Sequence, residues 1–307
     1  MPVTSGYMNP DMLGQYIKGW AKRSMELINT DAQNYDLLGK AFPLKPVDTE
    51  KIEFFVTHGV PGRIDVDLDT AVDASRWSIT RVSKDLKWDK FDYLITDAAK
   101  TRAAIDTLAM DGTRMALNYF GAVRTFRAVT ELVAKAGLSD SVTAQWNSSG
   151  ADVEGDIVKA IEGIVSSTGI DPSNHSFGVL YPSSRMRGID QLDLINNVQQ
   201  SLKEYLMKIW KINFYAFTPY KDADGNAYID IHNKTSSDAL GTNAIVFVEG
   251  DNTMRGAIYQ PTDIPLTETT RIHDVGWRTT LRQCVGYLVV PKYHATNSAN
   301  IFKITGV

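Results

Sequence analysis

The stretch 96–137 is the longest in the chain that reads as a single helix, and it limits what the rest can be. Thr96 and Asp97 stand where an N-cap belongs, and Gly137 closes the far end. Between them Ile105, Leu108, Ala116, Tyr119, Val123, Phe126, Val129 or Thr130, and Val133 recur every three or four residues. About 40 residues in a helix make a rod about 60 Å long, with Gly112 as a candidate break or bend. A small globule cannot cover such a rod. Something elongated has to pack along it, and the segment before it is strand-rich, highly charged and ill suited to burying itself. The expected product is a plate-shaped subunit with projections.

The chain of 307 residues allows one large domain or two medium ones, and 43% hydrophobic residues supply a core. A formal charge of -4, from 36 acidic and 32 basic side chains, leaves no polycationic footprint for gripping nucleic acid. Cys284 is the single cysteine, which excludes an intrachain disulfide; the surrounding CVGYLVVP reads as a buried strand, not a reactive thiol. The N-terminus lacks a basic, apolar signal sequence and no run approaches the ~20 apolar residues of a membrane span, so the expectation is a protein made in a cytoplasm with no membrane partner.

Met12 to Ile28 is amphipathic, and 31–50, with Pro43 and Pro46, loses periodicity; together they read as an arm that docks on something. From Lys51 the period drops to two in KIEFFVTH, RIDVDLD, RWSITRVS and KWDKFDYLIT, with the turn GVPG after the first. In the second, Ile64, Val66 and Leu68 oppose Asp65, Asp67 and Asp69. An isolated ribbon is marginal in water. Its apolar face, carrying Trp77, Trp88, Phe91 and Tyr93, therefore belongs either to an edge of the chain's own sheet or to a neighbouring molecule.

Small polar residues mark a boundary near 138–152, after which helices and strands alternate as in an α/β unit. Ile157, Ile161, Ile164 and Val165 form a helical stripe behind Asp152, Glu154 and Asp156, ended by Gly169. SFGVLYP is a short buried strand; Ile195, Val198, Leu202, Leu206 and Ile209 mark a second helix. Phe214–Phe217 and Ala227–Ile231, joined by KDADGN, are expected to pair as a hairpin. NAIVFVEG, TMRGAIYQ, QCVGYLVVP and NIFKITGV are closing strands, with PTDIPLTETT as a loop.

The chemistry-bearing patterns are weak. Asp222, Asp224, Asn226 and Asp230 invite a calcium reading, but Ala227 stands where an EF-hand loop requires glycine, so a turn is favoured. His58, His175, His232, His273 and His294 are scattered without ligand spacing. GxSxG, GxxxxGK[ST] and GxGxxG are absent. Asp65 and Asp67 alternate on a strand, and Tyr205, Trp210, Phe214 and Tyr215 read as core in place of a base-stacking platform. No catalytic, cofactor or metal residue is assigned.

Arm, charged ribbon, very long helix, α/β unit and returning strands, in that order, resemble the major capsid proteins of tailed phages and archaeal tailed viruses, the Hong Kong 97-like fold, an α+β class. The texture of DIVKAIEGIVSSTGIDPSNHSFGVLYPSS and of WRTTLRQCVGYLVVPKYHATNSANIFKITG is similar to that family. The resemblance implies an N-arm at 1–50, an extended E-loop ribbon at 51–95 and a peripheral domain with the spine helix at 96–150. It further implies an axial domain at 151–261 and return strands at 262–307. It implies a structural, non-enzymatic virion protein, assembled in the host cytoplasm, that forms pentamers and hexamers of an icosahedral shell around double-stranded DNA held by loose contact. Portal, scaffold and decoration proteins would be its other partners. Trp77, Trp88, Phe91, Tyr93, Lys87 and Lys90 become candidates for contact between subunits. Some relatives crosslink an E-loop lysine to an asparagine of another subunit; Lys84, Lys87 and Lys90 lie in the ribbon, but no partner asparagine is identified and no such bond is expected. Two rivals stand beside this: an encapsulin nanocompartment, disfavoured by the extended ribbon and arm, and a soluble α/β enzyme.

Overall fold

The computed structural model describes residues 10–58, 78–98, 102–190, 192–195, 198–222, 224–230, 232–261, 264–273, 275–290 and 297–307. Trp77, GVPG and RIDVDLD lie outside them.

The chain opens with helix α1 (Pro10–Tyr35), followed by β1 (Leu44–Val47), β2 (Lys51–His58), β3 (Ser78–Asp85) and β4 (Lys87–Thr96). Helix α2 (Arg102–Lys135) runs without a break for 34 residues, about 50 Å. It starts later than the sequence suggested, because Thr96 finishes β4 and the Asp97 amide bonds the Val275 carbonyl. Gly112 does not interrupt it. A Cβ there would lie 2.8 Å from the Tyr93 ring, so the glycine lets the helix approach β4 closely.

After α2 come β5 (Ala136–Ser141), α3 (Val153–Thr168), β6 (Phe177–Pro182), α4 (Met186–Asp190), β7 (Leu192–Ile195), β8 (Val198–Ser201), α5 (Leu202–Trp210) and β9 (Ile212–Phe217). The rest is β10 (Tyr228–Asp230), β11 (Thr235–Ser236), β12 (Asn243–Val248), β13 (Met254–Tyr259), β14 (Thr267–Ile272), β15 (Gly276–Val289) and β16 (Ser298–Thr305).

Two five-stranded sheets share α2. One runs β5-β16-β12-β6-β9, parallel at its two outer pairs and antiparallel within. β6 is buried at all six positions, and β12 is buried and apolar from Ala244 to Val248, because both faces of the sheet are covered there. Val179, Val246 and Phe302 meet Ile157, Ile161 and Ile164 of α3 on one side. On the other, Leu180, Ile245, Phe247 and Ile301 meet Leu38, Phe42 and the Val129 and Leu132 side chains of α2. The second sheet runs β1-β13-β15-β14, with β4 along the opposite edge of β15. The N-terminal half of α2 and α1 cover one face of it.

Helices α1 and α2 lie parallel and in register. Tyr16 bonds Asp106, Ser24 bonds Thr113 and Asp36 bonds Thr125, at separations of 90, 89 and 89 residues. The N-terminal segment is thus a helix docked on its own chain. This widens the buried arc of α2 beyond a single stripe; Ala109, Leu117, Phe120 and Arg124 are buried, while Leu108 is exposed.

Several expectations are corrected. The 138–152 boundary begins with β5, where Gly137 passes so close to Ser298 that a Cβ would lie 2.5 Å from its carbonyl oxygen. The helix expected from Ile195 starts only at Leu202, capped by Ser201 and Glu204 in a reciprocal box, and Ile195 and Val198 belong to a hairpin. Phe214–Phe217 and Ala227–Ile231 do not pair with each other: β9 joins β6, and β10 joins β11. PTDIPLTETT carries the start of β14. As the sequence indicated, Gly169 ends α3, at φ 67; Asp152, read from sequence only as part of an acidic first turn, is its N-cap.

Candidate assembly surfaces

Strands β2 and β3 form a two-stranded ribbon, from Lys51 opposite Asp85 to His58 opposite Ser78; among the described residues they pair only with each other. The root of this ribbon sits on the chain's own second sheet. Ile52 and Phe54 are buried with Leu86, Cys284 and Leu288, and the Arg255 guanidinium lies 5.0 Å from the Phe54 ring. The Leu86 amide donates to the Glu50 carbonyl at 2.9 Å, closing the root.

A polar clamp ties the root to α2. Arg127 donates to the Asp89 carboxylate at 2.5 Å and to the Lys87 and Val285 carbonyls at 3.0 and 2.8 Å. One turn on, Glu131 pairs with Lys84 of β3. The other Asp89 oxygen accepts from Gln283 at 3.2 Å, and Gln283 in turn accepts from Arg124 at 3.0 Å. Burial pushes the Asp89 carboxyl up to about 6, against the pull of Arg127 and Gln283. A second buried carboxylate, Asp36, accepts from Tyr287, Thr125 and the Leu38 amide. Burial raises its pKa too, with the Tyr287 hydrogen bond the largest opposing influence.

The candidate contact residues divide. Phe91 packs on Tyr119 and Phe120, at ring separations of 5.7 and 6.4 Å, and Tyr93 sits over Gly112; both face α2 within the same chain. Trp88 is half-buried, edge-on to Tyr259 at 6.2 Å, with its indole N–H on Glu50. Lys87 and Lys90 are exposed, Lys90 beside Asp92 at 3.3 Å. The residues 87–95, read from sequence as ribbon, are paired along β15 from Val285 to Trp277.

Exposed apolar side chains include Leu108, Met110 and Met115 on α2 and Met207 and Ile209 on α5; Leu108 and Met115, seven residues apart, share a face. Sequence reasoning missed the clamp. Its trace was Arg124, Arg127 and Glu131 at helical spacing on a rod otherwise read for its apolar stripe. Cys284 is buried in β15, and burial pushes its thiol up to about 11. Asp222 organises the 222–226 turn by accepting from the Asp224 and Asn226 amides. Among the described residues, no cluster of acids, histidines or cysteines is arranged to hold a metal, and no helix is long and apolar enough to cross a membrane.

No protein-family model matches the sequence, and no curated protein sequence does. Solved structures do match. The virus-like particle protein of Pyrococcus furiosus superposes with a TM-score of 0.59 at 12% identity, over 92% of this chain and 98% of that one. A phage-related protein of Bordetella bronchiseptica gives 0.57 at 14% identity, over 99% and 98%. The capsid of Myoviridae phage XM1 gives 0.55 at 11%, over 88% and 91%. This chain has the Hong Kong 97-like capsid fold. In its mixed α+β form here, one helix spans both sheets of the capsid fold and carries the clamp that holds the ribbon.

Proposed function

We propose that the protein is the major capsid protein of a tailed phage or archaeal tailed virus, a structural, non-enzymatic subunit that assembles into pentamers and hexamers of a shell around double-stranded DNA. The observation that carries this is the length of the likeness: 92% of this chain against 98% of a virus-like particle subunit, with little left over on either side. In this reading 51–85 is the projecting E-loop, α2 is the spine helix, 151–261 is the axial domain and 262–307 returns to the peripheral domain. Trp88, Lys87 and Lys90, at the surface of the ribbon root, meet a neighbouring subunit, as do the exposed apolar residues of α2 and α5. A charge of -4 suits a wall that contains DNA without condensing on it.

A nanocompartment shell that encloses protein cargo is the second reading, and one observation favours it. The extended arm was half of the case against it, and residues 10–35 are a helix packed on the same chain. Particles purified from a native source separate the two. Nuclease-resistant double-stranded DNA inside them supports the capsid; a co-purifying enclosed protein and no DNA rejects it.

A further inference from the structure

A sheet edge is a template for another chain unless charge or proline blunts it. The outer strands of the second sheet are blunted: β1 carries Lys45 and Pro46, β4 carries Lys87, Asp89, Lys90 and Asp92, and β14 carries Glu268 and Arg271. The first sheet ends differently. β9, INFYAF, has no charge and no proline, and β5, AGLSDS, has only Asp140. Among the described residues neither strand has a strand on its outer edge.

These two ends match each other. β5 is parallel to β16, β16 and β6 both run antiparallel to β12, and β9 is parallel to β6, so β5 and β9 point the same way. A second copy turned about an axis along the strands therefore lays its β5 beside β9 in the parallel sense already used at both ends of the sheet. Each strand is six residues long. The Phe177 amide donates to the Lys211 carbonyl, which sets the alternation and turns the backbone groups of Phe214 and Ala216 outward. On β5 the Val142 amide donates to the Thr305 carbonyl of β16, so the backbone groups of Ser139 face away from β16.

Room at the β9 edge selects the partner. A cleft of about 250 Å³ is lined by Asn213, Phe214 and Tyr215, by Lys203 and Met207 of α5, and by Glu249. Successive side chains of a strand point to opposite faces, and β6 fills the inner edge, so a cleft touching all three β9 residues wraps the open edge. Met207 stands at its rim with 44% of its surface exposed. Such a cleft admits the small side chains of β5, where Gly137, Ser139 and Ser141 are exposed; a second β9 would bring Phe214 and Tyr215 into the same space.

We propose that β5 of one copy adds to the open edge of β9 of the next, so that one sheet continues from subunit to subunit. Main-chain hydrogen bonds supply the affinity, as in other cases of strand addition. The contact is heterologous: each copy offers one edge and receives the other, and its repetition closes a ring where the rotation permits. That the ring holds five or six copies rests on the shell reading; the edge contact itself does not.

The test is thiol crosslinking of the full-length double variant Ser139→Cys, Asn213→Cys with a short bis-maleimide, read on a denaturing gel. Leu138 and Phe214 both pack on the α3 side of the sheet, so their exposed neighbours Ser139 and Asn213 share the other face. A ladder running past dimer is expected from the double variant. Each single variant, and the wild type with its buried Cys284, should give roughly tenfold less product. A double variant that stays at monomer, or dimers from Asn213→Cys alone, overturns the proposal. Should the double variant fold poorly, Ser139→Lys decides. It places a charge on the open edge of β5 and should weaken association in size-exclusion chromatography roughly tenfold or more with an unchanged circular dichroism spectrum; unchanged association overturns the contact. Particles that form without a ladder reject this contact and leave the shell reading standing, whereas a ladder from open chains does the reverse.

Discussion

Arg127 and Asp89, 38 residues apart in sequence, meet at 2.5 Å, with their side chains only 16% and 10% exposed. That contact fixes the ribbon-bearing strand to the helix shared by both sheets. Breaking a buried pair from one side strands the other charge. Arg127→Met is therefore expected to destabilise the subunit by about 3 kcal/mol, measured by urea unfolding. A loss under about 0.5 kcal/mol would show the pair to be ornamental.

Phe91 and Lys90 are neighbours in sequence with opposite duties. Phe91→Ser removes a ring packed on Tyr119 and Phe120, and the expected cost to the subunit is about 3 kcal/mol. Lys90→Glu, at an exposed position, should leave unfolding within about 0.5 kcal/mol of wild type while reducing assembly. Equal loss of folding in both variants contradicts the division drawn between core and contact surface.

Gly112 gives a test of sign. Alanine is the better helix former by about 1 kcal/mol, yet a Cβ at this position collides with the Tyr93 ring. Gly112→Ala is expected to lower stability by about 1–2 kcal/mol. A stabilised variant in thermal or urea unfolding would mean the helix does not approach β4 this closely.

Cys284 is expected to be silent. With its thiol pushed up to about 11 and fully buried, reaction with a disulfide reagent at about pH 8 should run at least a hundredfold slower in the native subunit than in urea. Prompt labelling of the native chain would place β15 at an exposed edge.

The long helix was legible because it is long: a three-to-four-residue period over more than thirty positions outlasts local ambiguity. The end of α3 was legible because one residue, Gly169, does the work, and the acidic start at Asp152 was legible as charge though not as a cap. Misreadings fell where tertiary contact decides. Thr96 looks like an N-cap in isolation and becomes the last rung of β4 opposite Gly276. Gly137 looks like a helix end and serves close strand packing against Ser298. Ile195 and Val198 fit a helical period as well as a hairpin, and only the Ser201 and Glu204 box locates the true start. The ribbon residues posed a different problem, since Phe91 and Trp88 alternate identically whether they face their own helix or a neighbour. The clamp was hidden because Arg127 and Asp89 are separated by the whole approach to α2, and nothing local marks two charges as partners.

Whether copies of this chain close into a shell is answered by negative-stain electron microscopy of the purified full-length protein, run beside size-exclusion chromatography. Closed particles, tubes, or rings of five and six subunits are the expected result. A chain that stays monomeric at high concentration, with its ribbon folded back on its own body, would contradict it.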